Sequence, residues 1–245
     1  MNHFFTEPGN IADGRIFIDG SDVNHIKNVL RMKPDEELLI SDGTGKDYLC
    51  RISDISDREI ICTIVSEEVC RSEPMVKFFL FQGLPKADKM EMIIQKSVEL
   101  GVYSIIPVET ARSVVKYDDK KKKNRVERWQ KIAEGAARQS GRGIIPEVAE
   151  ITSLKNALKA ASELDMILIP YENFKDMKAT REAIGRIKPG MSVGIFIGPE
   201  GGFAGEEVDS AVSGGAERIC LGSRILRTET APIMLLSVLM FSLEE

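Results

Sequence analysis

The sequence predicts an α/β fold preceded by a smaller, β-rich region. Three observations predict it. Apolar strand-like runs alternate with amphipathic helical stretches from Val76 onward, short alternating strands crowd the first 70 or so positions, and the pattern breaks between the two at Arg71 to Met75, where RSEPM brings a proline and charges. The break divides the chain into residues 1–72 and 73–245. With 43% hydrophobic and 29% charged residues over 245 positions, there is apolar material for a packed core in each part.

In the first part RIFID, ELLISD, DYLCRISDI and EIICTIVSEEV read as strands at the spacing of a small barrel, with a turn at Gly43-Thr44-Gly45. One helix interrupts them, from about Asp22 through HIKNVLRM to Pro34, with Ser21 or Asp22 placed to cap it. In the second part VKFFLFQGL is a buried strand. KADKMEMIIQKSVELG is a helix with Met90, Ile93, Ile94 and Val98 inward and Gly101 as its stop. YSIIPVE is the next strand, and NRVERWQKIAEGAARQSG is a helix burying Val126, Trp129, Ala133, Ala136 and Ala137 while displaying basic residues on its other faces. DMILIPYE, SVGIFIG and ERICLG are further strands separated by helical segments. APIMLLSVLMFSLEE closes the chain as an almost wholly apolar helix, which its own sheet, a second subunit or both must cover.

The composition excludes several classes of function. The opening MNHFFTEPGN has no basic or apolar leader pattern, and no run reaches the ~18 apolar residues of a membrane span, so a cytoplasmic protein without membrane association is expected. Cys50, Cys62, Cys70 and Cys220 form no Cys-x-x-Cys pair, and only His3 and His25 are present, so no metal site is expected. The net charge of -5 hides a basic middle: Arg112 to Arg142 carries Arg112, Lys116, Lys120 to Lys123, Arg125, Arg128, Lys131, Arg138 and Arg142 against few acids. A polyanion could dock there, since phosphate binding depends on local basic density; a solvated charged face is the plain alternative.

Two loops look selected for more than packing. Gly198-Pro199-Glu200-Gly201-Gly202 follows a strand and opens bare backbone to a ligand, yet it has neither the Lys-Ser/Thr of a phosphate-cradling loop nor the Gly-x-Gly-x-x-Gly spacing. A side chain at Gly198 or Gly222 is expected to fill ligand space and leave the fold intact. Leu221 to Ala231, LGSRILRTETA, brings two arginines and a glutamate to the C-terminal edge of the sheet, where open α/β folds bind ligands. Thr228 or Thr230 can cap the final helix and Pro232 suits its first turn, which leaves Arg224, Arg227 and Glu229 unexplained.

IGPEGG followed by LGSRILRTETA is similar to the paired cofactor loops of the bacterial 16S ribosomal RNA uridine N3-methyltransferases of the knotted SPOUT class. The resemblance extends to QGLPKADKMEMIIQKSVELGV, RSVVK, WQKIAEGAARQSGRGIIPEV and HIKNVLRM, with one departure: Ala87 stands where glycine is expected. It implies an N-terminal PUA-like RNA-binding β-barrel, a C-terminal α/β domain tied in a deep trefoil knot, a homodimer, S-adenosylmethionine as methyl donor, and 16S rRNA of the small ribosomal subunit as partner. The implied cofactor loops map to Pro170 and Tyr171, to Ile197, Gly198, Gly201 and Gly202, and to Leu221, Gly222, Ile225 and Leu226. His25 and Arg31 fall in the family's N-terminal signature, where His25 could contact RNA or serve as a packing or capping residue; Arg112, Lys121, Arg125, Arg128, Arg138 and Arg142 of the basic region are the further candidates for RNA contact.

Methylation at uridine N3 needs loss of the imide proton while charge spreads onto O2 and O4, so a base and a cation would help. Glu229 or Glu200 could supply the first and Arg227 the second, although these could equally form an ion pair; Tyr171, Lys86 and Lys89 are open in the same way. Methylation at C5 would instead need a reactive thiolate, and Cys220, at a strand end without a neighbouring histidine, suits a buried protonated thiol. Two rivals stand beside this reading: an RNA-binding or ribosome-assembly protein of the same fold without catalysis, and an α/β enzyme using another adenosine-containing ligand.

Overall fold

The computed structural model describes residues 1–243, and Glu244 and Glu245, which end the expected terminal helix, lie outside the described residues. The chain divides into two compact units, one of residues 1–73 with 137–145 and one of residues 74–136 with 146–245.

The first unit contains β1 (His3–Phe5), β2 (Ile11–Ala12), β3 (Arg15–Ile18), α1 (Ser21–Asn24), β4 (Glu37–Ser41), β5 (Lys46–Ile55) and β6 (Ile60–Val69). They form a six-stranded sheet in the order β1-β4-β5-β6-β3-β2, so the expected barrel is hydrogen-bonded as a sheet with β1 and β2 at its edges. Register shifts at Leu49/Cys50 and Ile52/Asp54 bend the long β5–β6 ribbon. Alternate residues point inward, as period-2 patterning requires, and Ile16, Leu38, Ile40, Cys50, Ile52, Ile60 and Cys62 are fully buried together with Ile26. Burial pushes the Cys50 and Cys62 thiols up to about 12, so they are inert packing residues.

The expected helix after Ser21 is shorter and differently held. α1 passes into a π-helical turn at His25–Val29, and Gly20 takes the capping position without a side-chain bond. Asp22 does not cap, because its carboxylate accepts hydrogen bonds from both terminal nitrogens of Arg138, at 2.9 and 3.0 Å. Glu73 likewise accepts from Arg142 Nε and Nη2 at 2.8 and 2.7 Å. These two ion pairs fasten residues 137–145 to the barrel region, which no cut at a single sequence position could express.

The second unit runs β7 (Lys77–Gly83), α2 (Lys89–Glu99), β8 (Ser104–Glu109), α3 (Asp119–Ser140), β9 (Glu147–Val148), β10 (Thr152–Ser153), α4 (Leu154–Ala161), β11 (Met166–Pro170), α5 (Met177–Ile184), β12 (Ser192–Ile197), α6 (Gly205–Ser213), β13 (Glu217–Ile219) and α7 (Thr230–Leu243); only the last turn of α3 belongs to the first unit. Its strands form a parallel sheet, β10-β8-β7-β12-β11-β13, with β9 beside β8. The two central strands are apolar on both faces, as a sheet covered by helices demands, and Phe81 stacks on Phe196 with ring centroids 4.3 Å apart.

α3 begins five residues before the expected Asn124. Asp118 Oδ1 accepts from the Lys121 N–H at 2.8 Å, so a capped turn precedes the apolar periodicity that marks the rest of the helix. α7 buries Leu235, Leu236, Leu239 and Met240 but leaves Met234, Val238 and Phe241 exposed, Phe241 by 87%. The chain's own fold therefore covers one face of this helix.

Candidate active site

Three segments leave the C-terminal ends of adjacent strands and enclose one cleft of about 480 Å³: residues 170–175 after β11, 197–203 after β12 and 220–228 after β13. Its position, where strand order departs from chain order, is the usual ligand crevice of open α/β sheets. The structure brings Pro170, Tyr171, Ile197, Gly198, Gly201, Gly202, Leu221, Gly222, Ile225 and Leu226 onto this one cleft. Glu200 and Arg227 share its lining, as do Lys89 and Thr228.

A hydroxyl ties the loops together. Thr228 Oγ1 donates to the Gly198 carbonyl at 2.7 Å and accepts from Gln82 Nε2 at 3.0 Å, and Gln82 Nε2 also reaches the Gly83 carbonyl at 3.0 Å. Thr228 is thus no helix cap. Gln82 was not singled out in the sequence, although a glutamine ending the apolar run VKFFLF is a detectable anomaly.

Charged groups gather beside the tie. Lys89, in the first turn of α2, has its Nζ 2.9 Å from Glu200 Oε1 and 3.5 Å from Glu229 Oε2, and Arg227 Nη1 is 3.9 Å from Glu229 Oε1. Burial works to raise the Glu200 pKa, but hydrogen bonds from Lys89 and from the backbone N–H groups of Glu200 and Lys86 outweigh it and hold the carboxyl below its ordinary range. The same contact with Glu200 raises the Lys89 pKa against its burial. Glu229 is the more enclosed carboxylate, with its side chain 15% exposed, whereas Arg227 is 81% exposed.

The glycines act differently from the expectation. A Cβ on Gly198 would stand 2.9 Å from Gly202 Cα and 3.0 Å from the Phe203 nitrogen, so Gly198 is required by loop packing and a bulky replacement cannot leave the fold intact. Gly222 has open space around it but φ +103°, a left-handed conformation that side chains resist. Cys220 is buried, its Sγ 3.4 Å from the Gly222 carbonyl and its N–H donating to Thr180 Oγ1 at 2.8 Å, as a structural thiol should be.

The expected RNA contacts separate into two groups. Arg112 donates to the Gly201 carbonyl at 2.7 Å, Lys121 pairs with Asp118, and Arg125 and Arg128 face Glu91 at 3.9 and 2.8 Å. Ion pairs of this kind at the surface are weak. His25 and Arg31 lie exposed on the first unit, Arg31 with φ +54°. Arg142 differs: it is 2% exposed and clamped by Glu73, so its guanidinium serves the fold rather than a phosphate. Arg138 is committed to Asp22 in the same way. Among the described residues no group of three His, Cys, Asp or Glu could hold a metal ion, and no helix is long and apolar enough to cross a membrane.

Residues 71–240 match the family described as RNA methyltransferase domain, and residues 18–65 match the RNA methyltransferase PUA domain. The chain belongs to this RNA methyltransferase family. Its family relatives include ribosomal RNA small subunit methyltransferase E of Bacillus subtilis, 37% identical over 93% of this chain and 90% of the relative. The crystal structure of ribosomal RNA small subunit methyltransferase E from Neisseria gonorrhoeae, bound to S-adenosylmethionine, is 32% identical with a TM-score of 0.84, covering 99% of this chain and 98% of that one. A proposed methyltransferase from Legionella pneumophila, in complex with the same cofactor, is 33% identical with a TM-score of 0.85 over 98% of this chain and 97% of its own. The fold of this family member is accordingly an N-terminal PUA-like domain followed by an α/β methyltransferase domain.

The methyltransferase cleft fits such a cofactor. Its volume lies within the range of small-molecule sites, roughly 300–1,000 Å³. Ile197, Leu221, Ile225, Leu226 and Tyr171 offer apolar surface to an adenine, the loops offer backbone polar edges, and Glu172 and Glu200 offer negative charge to a sulfonium or ammonium group.

Proposed function

We propose that this chain transfers a methyl group from S-adenosylmethionine to N3 of a uridine in the decoding region of 16S rRNA, within the assembled small ribosomal subunit and in the cytoplasm. The observation that carries this reading is the convergence of all three family cofactor loops on one cleft lined also by Arg227 and Lys89, with Glu229 3.5 Å from the Lys89 amine. When bound, the cofactor supplies an electrophilic sulfonium methyl. Pro170, Tyr171, Ile197, Gly198, Gly201, Gly202, Leu221, Gly222, Ile225 and Leu226 hold it in the cleft. Glu229 accepts the N3 proton, Lys89 keeps Glu200 ionised and fixed, and the exposed Arg227 offers its charge to O2 or O4 of the uracil. His25 and Arg31 of the PUA-like domain, residues 1–72, and Arg112, Lys121, Arg125 and Arg128 of the methyltransferase domain, residues 73–245, bind RNA phosphates.

We further propose a trefoil knot and a homodimer. The knot is supported by the non-sequential sheet, in which β13 lies outside β11 while α7 returns to pack on β12 and α2. The homodimer is supported by the bare apolar face of α7.

The test is to incubate the protein and its Cys220→Ser variant with S-adenosylmethionine and small subunits lacking the modification, then identify the product nucleoside by mass spectrometry. 3-Methyluridine from both proteins is expected. 5-Methyluridine, or loss of activity in a folded and cofactor-binding Cys220→Ser, contradicts N3 chemistry. RNA binding without cofactor binding would instead make the protein a non-catalytic assembly factor.

A further inference from the structure

The Gly198–Pro199 peptide unit sits in the wall of the cleft, and proline contributes no N–H. The Gly198 carbonyl is therefore the only polar handle on that unit, and the group that donates to it sets the plane of the peptide. That group is the Thr228 hydroxyl, 30 residues further along the chain. A hydroxyl has one proton, so once it is given to Gly198 the oxygen can only accept, and Gln82 Nε2 donates to it at 3.0 Å. Gln82 is held in turn by the Gly83 carbonyl at 3.0 Å.

This chain of bonds is fully buried at one end and opens on the cleft at the other. Gln82 is 0% and Thr228 5% exposed, and Thr228 lines the cleft. Gln82 Oε1 is buried without a hydrogen-bond partner among the described residues. An apolar side chain of similar shape would avoid that penalty, so packing does not account for the amide. What the amide does is orient Thr228. The end of β7 packs closely on the same loop: a Cβ on Gly83 would stand 2.7 Å from Pro199 Cδ.

We propose that Gln82 and Thr228 are positioning residues that lock the 197–203 loop against the 221–228 loop in the geometry that binds S-adenosylmethionine. The proposal rests on the cofactor reading above. The order of influence is Gln82 to Thr228 to the Gly198 carbonyl, with Thr228 the link that touches the cleft.

Three variants test it. Thr228→Val keeps the shape and removes the hydroxyl, Thr228→Ser keeps the hydroxyl, and Gln82→Met removes the donor while leaving the bond from Thr228 to Gly198. Calorimetry with S-adenosylmethionine is expected to show about tenfold weaker binding by Thr228→Val, recovery to within about threefold in Thr228→Ser, and an intermediate loss in Gln82→Met. KM for the cofactor should rise more than kcat falls, and RNA affinity should stay at the level of the unaltered protein. If Thr228→Val does not fold, Gln82→Met carries the same comparison. Cofactor affinity within twofold of the unaltered protein in both Thr228→Val and Gln82→Met, or Thr228→Ser as defective as Thr228→Val, overturns the inference. So does a parallel loss of RNA and cofactor binding, which would make the tie merely structural. Failure of the unaltered protein to bind the cofactor overturns the cofactor reading itself, and this inference with it.

Discussion

Lys89 Nζ lies 2.9 Å from Glu200 Oε1, linking the first turn of α2 to the glycine-rich loop after β12. The pair holds the Glu200 carboxyl below its ordinary range and so makes it a weaker base. Because the folded pKa of Glu200 is lowered, its contribution to stability is present above the ordinary 4.5 and is lost as pH falls through the depressed value. In Lys89→Met the largest lowering influence is gone and burial remains. The Glu200 carboxyl should then titrate at higher pH than in the unaltered protein, as carboxyl-carbon NMR would register. An unchanged titration would mean that Lys89 does not govern this loop.

Ala87 has φ +54°, so the position where the family resemblance calls for glycine is one that a side chain resists. Ala87→Gly should stabilise the protein by about 1 kcal/mol, because relief of the left-handed strain exceeds the entropy glycine adds to the unfolded chain. Thermal unfolding would record it as a higher midpoint. A lower midpoint would contradict the strain.

Gly198→Ala and Gly222→Ala separate packing from backbone strain. At Gly198 the added Cβ meets backbone at 2.9 Å, so the loop must move, and a destabilisation of about 1–3 kcal/mol with weakened cofactor binding is expected. At Gly222 nothing lies within 4 Å, and only the strain of φ +103°, on the order of 1 kcal/mol, is felt. Equal effects of the two substitutions in thermal unfolding would refute this division.

Basic residues in one stretch of sequence should behave in opposite ways. Lys121→Glu with Lys123→Glu, both exposed, should weaken RNA binding and flatten its salt dependence while leaving stability alone. Arg142→Ala should cost about 1.5–3 kcal/mol of stability, since the half-buried Glu73 loses the guanidinium and keeps only the backbone N–H groups of Gly143 and Ile144. Salt-titrated RNA binding and denaturant unfolding, run on both proteins, check the contrast.

The exposed stripe of α7 should mediate self-association. The unaltered chain is expected to dimerise, and Val238→Glu with Phe241→Glu, which places charge on the apolar face without touching the buried Leu235, Leu236 and Leu239, is expected to stay monomeric at the same concentrations. Sedimentation across the low micromolar range decides it.

Local pattern was enough to find β7, β8, β11, β12 and β13 and the helices of the second unit, though not the two-residue β9 and β10, because continuous apolar runs such as Phe78 to Phe81 and period 3.6 spacing such as Met90 to Val98 are written in consecutive residues. The glycine-rich loop and the Leu221 to Ala231 segment were legible too, since their residue types do not suit packing. Other features depended on partners distant in sequence. Asp22 looks like a helix cap until Arg138, 116 residues away, takes its carboxylate. Arg142 looks like a phosphate ligand until Glu73 buries it, and Thr228 looks like a cap until Gly198 and Gln82 claim its hydroxyl. Hydrogen bonds and ion pairs are satisfied by whatever the fold brings near, so the sequence determines which groups need partners and only the tertiary structure decides which partners they get.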